Sequence, residues 1–156
     1  MQTFDIPGWK KPEIAFLVFD YNGTLAVDGI LLEGVAGQLR LLAKTFEIHV
    51  VTADTFGKAA AELKGLSCTL KILPKANQAE AKRDYVRKLG PEKTAAIGNG
   101  RNDRLMLREA ALGIVLIQRE GAAVETVTAA DVVCHKVTDA LDLFLNPKRL
   151  TATLRE

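Results

Sequence analysis

Two cysteines and two histidines in 156 residues leave little material for a disulfide framework or for a metal site built on thiolates and imidazoles. Cys68 and Cys134 stand alone in the strand-like stretches LSCTL and DVVCH, with no CxxC spacing. They read as buried thiols in a reducing compartment, which makes a cytoplasmic protein the expectation. His49 and His135 lie in strand-like runs without a partner at ligand spacing, and read as ordinary strand or surface histidines. Charge of one sign is also scarce. Twenty-one Lys and Arg face 19 Asp and Glu, a net charge of +2 with no long single-sign run, so neither nucleic acid nor an anionic membrane is called for as a partner. No window holds the roughly 18 uninterrupted apolar residues of a membrane span. The N-terminal MQTFDIPGWKKPE lacks the apolar core of a signal peptide. There is no internal repeat, low-complexity tract or linker, and residues 1–156 are expected to form one domain.

What is present is an alternation of short apolar runs with segments of helical period. IAFLVF (14–19) is continuous and short, as in a strand buried on both faces. EIHVVT (47–52), CTLKIL (68–73), KTAAIG (93–98), LGIVLI (112–117) and DVVCH (131–135) read as further strands. Helical spacing runs through Val35, Leu39, Leu42, Ala43 and Phe46, then through 56–64, 77–90, 102–111, a weak 121–128, and 139–145. NPKRLTATL adds a basic terminal turn or short helix, expected to pack on the sheet or on a neighbouring subunit. Asp28-Gly29 between two apolar runs reads as a small hairpin, and Asn22-Gly23 as a turn. Strands alternating with helices predict βαβ units: a three-layer α/β/α sandwich around a mainly parallel sheet. In such sheets ligands bind beyond the C-terminal strand ends, near the switch in strand order.

Reactive residues do cluster after strands. Asp20 follows the first, Thr52 and Asp54 the second, and Asn99, Asn102 and Asp103 the fourth, while Lys82 sits early in the helix leading to that strand. Two carboxylates, a hydroxyl, an ammonium and glycine-loosened backbone at NGT and GNG suit phosphoryl chemistry. Asp20 and Asp103 offer hard oxygens for Mg²⁺. The backbone after Asp20 can cradle phosphate, with Gly23 allowing close approach, Thr52 can donate a hydroxyl hydrogen bond, and Lys82 brings a positive charge. Asp20 can itself be a nucleophile that forms an aspartyl phosphate.

These stretches resemble the haloacid dehalogenase (HAD) superfamily. FDYNGTLA is similar to its DxDGT motif, VVT (50–52) to the Thr or Ser that follows a strand in motif II, and IGNGRNDRLML (97–107) to GDGxNDxxAL as P-type ATPases write it. KRDYVRKLG places Lys82 at the motif III lysine, with Lys75 in LPK as the alternative. The likeness spans about residues 13–135 and is nearest to the small soluble P-type-ATPase-like members. It implies a Rossmann-like (HAD-like) fold with Asp20 as nucleophile on the central strand. It implies phosphate bound by Tyr21, Asn22, Gly23, Thr52, Ala53 and Lys82, and Mg²⁺ held by Asp20, Asp103, the Asn22 carbonyl and Asn99. The TLAVDGILLEG hairpin would be the flap. With no insertion large enough for a cap domain, the site would be open, a condition such members meet by forming homo-oligomers or by taking large substrates. A phosphorylated small molecule or a phosphoprotein is the substrate implied.

Two departures from the pattern matter. Asn22 stands where these phosphatases carry an Asp that acts as general acid and base, and an amide cannot exchange a proton near neutral pH. Asn99 stands where an Asp is common, which removes a negative charge from the metal site. Asp54 is the one other nearby acid that could replace the missing base. Two functional readings stand: a slow Mg²⁺-dependent phosphatase or phosphotransferase, or a non-catalytic phosphate- or partner-binding module. A response-regulator receiver does not fit, because the first strand ends in a single Asp20 and the third in ILPK.

Overall fold

A computed structural model describes residues 1–156. The chain opens with Gln2–Thr3 (β1) paired antiparallel to Glu13–Ile14 (β2), a two-stranded element that the apolar pattern does not announce. Phe16–Phe19 (β3) follows, so the run expected as one strand over 14–19 is divided at Ala15, whose N–H is turned to the Lys93 carbonyl at 2.8 Å. Ala26–Val27 (β4) and Ile30–Leu31 (β5) form the expected hairpin. Its turn residues Asp28 and Gly29 both have positive φ, 52° and 79°, as a tight turn on an Asp-Gly pair requires. Then come Val35–Leu42 (α1), Glu47–Thr52 (β6), Ala59–Glu62 (α2), Thr69–Ile72 (β7), Gln78–Leu89 (α3), Thr94–Gly98 (β8), Arg104–Glu109 (α4), Leu112–Leu116 (β9), Val124–Val127 (α5), Val132–Cys134 (β10), Val137–Leu145 (α6) and Pro147–Leu154 (α7).

Six parallel strands make the central sheet in the order β10-β9-β8-β3-β6-β7. The order reverses between β3 and β8, so the switch point lies between their C-terminal ends. Strand pleating divides the apolar run of β3 between two cores. Leu17 and Phe19 enter the larger one with Ile48, Val50, Ile97 and Ile114, and Val18 enters the smaller one with Val51, Ala96 and Val115. Leu39 of α1 and Leu141 and Phe144 of α6 cover the first face. Val86 of α3 and Met106 and Leu107 of α4 cover the second. A strand buried on both sides is apolar along most of its length, which is why β3, β8 and β9 read as apolar runs.

Several boundaries move for local reasons. The helix expected over 56–64 contracts to α2 because residues 54–57 form a turn closed by Gly57 N–H to Asp54 O at 2.9 Å. Helix α4 starts at Arg104 rather than 102, after a short 3₁₀ turn over Arg101–Asp103. The basic C-terminal segment is helical from Pro147. It buries Leu150 and ties back to the N-terminal segment through Thr151 Oγ1 to Asp5 O (3.3 Å) and Glu156 N to Pro7 O (3.2 Å). Cys68 and Cys134 are free thiols, half-buried at the edge of the larger core rather than fully buried as expected. His135 is exposed. His49 accepts or donates one hydrogen bond at Nδ1 to the Tyr85 hydroxyl (2.9 Å), and burial lowers its pKa. No helix is long and apolar enough to cross a membrane.

Helix α4 packs closely on β9 at Gly113, where a Cβ would lie 2.6 Å from the Leu107 carbonyl oxygen. Gly113→Ala is expected to cost about 1–3 kcal/mol by forcing the helix from the sheet, read as a lower denaturation midpoint at unchanged slope.

Candidate active site

Asp20 is the first residue beyond β3, and Asp103 ends the turn that follows β8, so the two carboxylates flank the switch point from either side. Between them lies Lys82, carried by the second turn of α3. Its Nζ donates to Asp20 Oδ1 at 2.6 Å and to Asp103 Oδ1 at 2.7 Å. The three side chains form a buried triad, with Lys82 1% and Asp103 0% exposed. Such a group survives burial because each charge is paired and hydrogen-bonded. Asp103 Oδ2 is satisfied separately by the Asn99 and Gly100 N–H groups, both at 2.9 Å. Gly98 leaves room for that carboxylate, since a Cβ there would meet Asp103 Cγ at 2.5 Å.

Asp20 Oδ2 is served less well. Its hydrogen-bond partner is the Thr24 hydroxyl at 3.5 Å, a weak contact that leaves lone pairs for a cation or an electrophile. Burial first, and the neighbouring Asp103 charge second, push the Asp20 carboxyl up to about 6 against the opposing pull of Lys82. Burial depresses the Lys82 ammonium, but the charges and hydrogen bonds of Asp103 and Asp20 outweigh it and hold the ammonium above its usual range. The triad carries two potential negative charges and one positive. Its donors are hard oxygens, and no group of three His, Cys, Asp or Glu gathers anywhere in the chain. Two carboxylates with backbone and amide oxygens suit Mg²⁺, which takes one or two carboxylates and keeps water or phosphate, and do not suit Zn²⁺.

The raised pKa of Asp20 has a consequence for stability without a bound cation. Between the unfolded carboxyl value near 4 and about 6 the native state binds more protons than the unfolded state, so this group's contribution falls as pH rises through that window. Asp20→Asn is expected to remove that downward slope in melting temperature between pH 4 and 6.5. Parallel curves for the two proteins would contradict it.

The cleft above the triad has a volume of about 220 Å³, and its wall includes Asp20, Asn22, Thr52, Ala53, Asn99 and Glu120. Thr52 Oγ1 accepts from Asp54 N–H at 3.0 Å, which leaves its own proton free to donate. The Asp54 carboxylate is committed elsewhere: it accepts the Lys58 and Ala59 N–H groups at 3.1 Å each and so caps α2. Lys75, the alternative lysine, lies outside this cleft, and Lys82 is the one that reaches Asp20. Gly23 serves differently from the expected phosphate cradle. Its N–H is already spent on the Ala26 carbonyl at 2.7 Å. Its φ of 84° and missing Cβ make room for the Asn99 side chain and the Glu120 carboxylate, both of which a Cβ would overlap.

The two asparagines act as struts. Asn22 Oδ1 accepts Gly29 N–H at 2.9 Å, and the neighbouring Tyr21 hydroxyl donates to Gly29 O at 3.0 Å, so the β4–β5 hairpin is clamped to the loop after Asp20. Burial pushes the Tyr21 phenol up to about 12, which keeps it a donor at neutral pH. Asn99 Nδ2 donates to Gly121 O at 3.1 Å and its Oδ1 accepts from Thr24 Oγ1 at 3.3 Å. A carboxylate at 99 could not make the first of these bonds. Two further residues escape the sequence reading. Gln118 Nε2 donates to the Gly23 and Thr24 carbonyls at 3.2 and 3.0 Å, stapling the loop after β9 to the loop after β3. Glu120, on the same loop, is the one carboxylate besides Asp20 in the cleft wall. Their position just beyond a strand end was the available signal.

No family model matches the chain. It is 51% identical over 65 residues to the Methanocaldococcus jannaschii protein MJ0073, a stretch that is 42% of this chain and 70% of that one. It is 44% identical over 39 residues to MJ0072 of the same organism, covering 25% of this chain and 89% of that one. Both relatives bear the description "uncharacterized protein". Among solved structures, the Moraxella catarrhalis 3-deoxy-D-manno-octulosonate 8-phosphate phosphatase, crystallised with magnesium, phosphate and KDO, superposes with a TM-score of 0.66 at 20% identity over 91% of this chain and 94% of that one. The cobalt-bound deoxy-D-mannose-octulosonate 8-phosphate phosphatase of Haemophilus influenzae gives 0.67 at 17% identity, over 92% and 94% of the two chains. An apo phosphoserine phosphatase gives 0.62 at 16%, over 83% and 98%. At these identities the likeness is one of fold: the chain has the HAD-like α/β architecture, and the structures it resembles are HAD-superfamily phosphatases.

Proposed function

We propose that this chain, which belongs to the same family as the Methanocaldococcus jannaschii protein MJ0073, is a cytoplasmic, Mg²⁺-dependent phosphatase or phosphotransferase of the HAD superfamily that works through a phosphorylated Asp20. The observation that carries the reading is the buried bridge of Lys82 between Asp20 and Asp103 at the switch point of the sheet. Asp20, Asp103, the Asn22 carbonyl and Asn99 would hold Mg²⁺. When bound, the ion neutralises charge on the phosphoryl oxygens. Lys82 keeps Asp20 ionised and offers positive charge to the phosphate, and Thr52 donates its hydroxyl hydrogen. An Asp20 oxygen attacks phosphorus, the phosphorus–ester oxygen bond breaks, and the leaving alkoxide takes a proton from water because Asn22 has none to give. Water then attacks the aspartyl phosphate, which frees inorganic phosphate and restores Asp20. Between β3 and β7 the chain carries only the short β4–β5 hairpin, α1, β6 and the four-residue α2, with no inserted domain, which supports a capless member with an open site. The GNGRND turn supports a place beside the P-type-ATPase-like members.

Beryllofluoride with Mg²⁺ tests the reading directly. It is expected to raise the melting temperature of the wild-type protein by several degrees and to leave Asp20→Asn unchanged. An equal shift in both proteins overturns attachment at Asp20.

The strut roles of Asn22 and Asn99 favour a second reading, a phosphate- or partner-binding module with little turnover. Asn22→Asp separates the two. A carboxylate can still accept the Gly29 N–H, so the hairpin clamp survives, and the new group can exchange a proton. A gain of at least about 10-fold in turnover of alkyl phosphates, larger than for aryl phosphates, is expected of an enzyme lacking one part. No gain favours the binding module.

A further inference from the structure

A second cleft, of about 330 Å³, adjoins the first, and its wall includes Lys75, Gln78, Glu80, Arg101, Asn102 and Arg104. Gln78 and Asn102 belong to both walls, and Asn102 Nδ2 donates to Gln78 Oε1 at 2.7 Å. The two clefts are therefore the two sides of one sill made of neutral amides. Beyond the sill three cations face one lining acid, Glu80. Glu125 holds two of them in place from behind, at 3.2 Å from Arg101 Nε and 3.4 Å from Arg104 Nε, and Arg104 also donates to the Arg101 carbonyl at 2.8 Å. One carboxylate shared by two guanidiniums leaves N–H donors and positive charge unspent on the cleft side. Nothing in the triad chemistry uses these groups. Gln78 precedes Lys82 by about one turn of α3, about 6 Å along the helix at 1.5 Å per residue, so one helix carries both a wall of the cationic cleft and the lysine that bridges Asp20 and Asp103.

Resting on the phosphatase reading, we infer that the substrate is a small phosphomonoester carrying a second anionic group, a carboxylate or another phosphate, which Lys75, Arg101 and Arg104 bind across the Gln78–Asn102 sill while the ester phosphate sits over Asp20. The cations favour the doubly anionic ester by charge, and the guanidiniums add a planar fork that fits either oxyanion. An alkyl or aryl phosphate without a second anionic group fills only the Asp20 side.

The test compares matched esters with and without the second anion. Glycerol 3-phosphate is the probe with a single anionic group, 3-phosphoglycerate adds a carboxylate, and fructose 1,6-bisphosphate adds a phosphate. In the wild-type protein with Mg²⁺, kcat/KM for one or both of the doubly anionic esters is expected to exceed that for glycerol 3-phosphate by at least about 10-fold, and the ester that does so identifies the second group. Lys75→Gln/Arg101→Gln, which changes two exposed side chains, is expected to cut that ratio about 10-fold and to flatten its decline with added salt. Equal rates across the matched esters, or a ratio indifferent to the double substitution, overturn the inference, and so does turnover confined to phosphopeptides. Binding of the same esters to Asp20→Asn, by calorimetry, keeps the two ideas apart. A preference for the second anion that vanishes with Lys75→Gln/Arg101→Gln, in a protein that turns over no ester, upholds the second-anion site and removes the phosphatase reading.

Discussion

Asp20→Asn is expected to lower Mg²⁺-dependent release of p-nitrophenol from p-nitrophenyl phosphate by at least about 10³-fold, a rise of about 4 kcal/mol in barrier. This substrate suits the test because its leaving group needs no proton, so the absence of an acid at position 22 does not mask the loss. Asparagine keeps the shape of the side chain and removes the nucleophile. The variant should also fold at least as well as the wild type near neutral pH, because burial and Asp103 already penalise the charged form of Asp20 and Lys82 keeps its bond to Asp103. Lost activity with retained or increased melting temperature separates chemistry from folding. Turnover within about 3-fold of wild type would leave Asp20 without a chemical role.

Lys82→Met should act on stability with comparable size. Methionine fills similar space but leaves two buried carboxylates facing each other without their common cation. Breaking a buried pair by removing one partner costs about 3–5 kcal/mol. For a chain of this length that is roughly 10 °C in melting temperature. The deficit should grow with pH, since the carboxylates escape it by taking up protons, and should be smaller at pH 5 than at pH 7.5. Adding Asp20→Asn to Lys82→Met should recover part of the loss, and Mg²⁺ should recover part of it in the single variant. A melting temperature within about 2 °C of wild type at pH 7.5 would show that the triad is not the electrostatic unit its distances describe.

The elements were legible to different degrees, for local reasons. Asp28-Gly29 was readable because two positive φ values in succession suit few residue pairs, and the hairpin is there. The apolar runs of β3, β8 and β9 were readable because a strand covered on both faces has few polar positions. β7 was harder to bound, since it lies at the sheet edge with mostly exposed side chains. The pair β1–β2 was invisible, because two residues are too few to show a period. At the site, Asp20, Thr52 and Asp103 could be picked out because each lies at or beyond a strand's C-terminal end, and parallel strands deliver their ends to one edge. Gln118 and Glu120 obeyed the same rule and were missed, for want of a motif around them.

Local periodicity and residue chemistry, taken alone, determined that this chain builds a parallel α/β sheet with an aspartate at the tip of an inner strand, because both properties are written within a few residues of each other. Only the tertiary structure decided between Lys82 and Lys75, turned Asp54 into a helix cap, made struts of Asn22 and Asn99, and set a cationic cleft beside the Asp20 cleft. The Asp54 cap and the Asn22 strut are made with partners four to seven residues away, but the other choices depend on the pitch of α3 against β8 and on loops that meet from opposite halves of the chain. A partner 20 to 100 residues away is selected by packing, and packing leaves no period in the sequence.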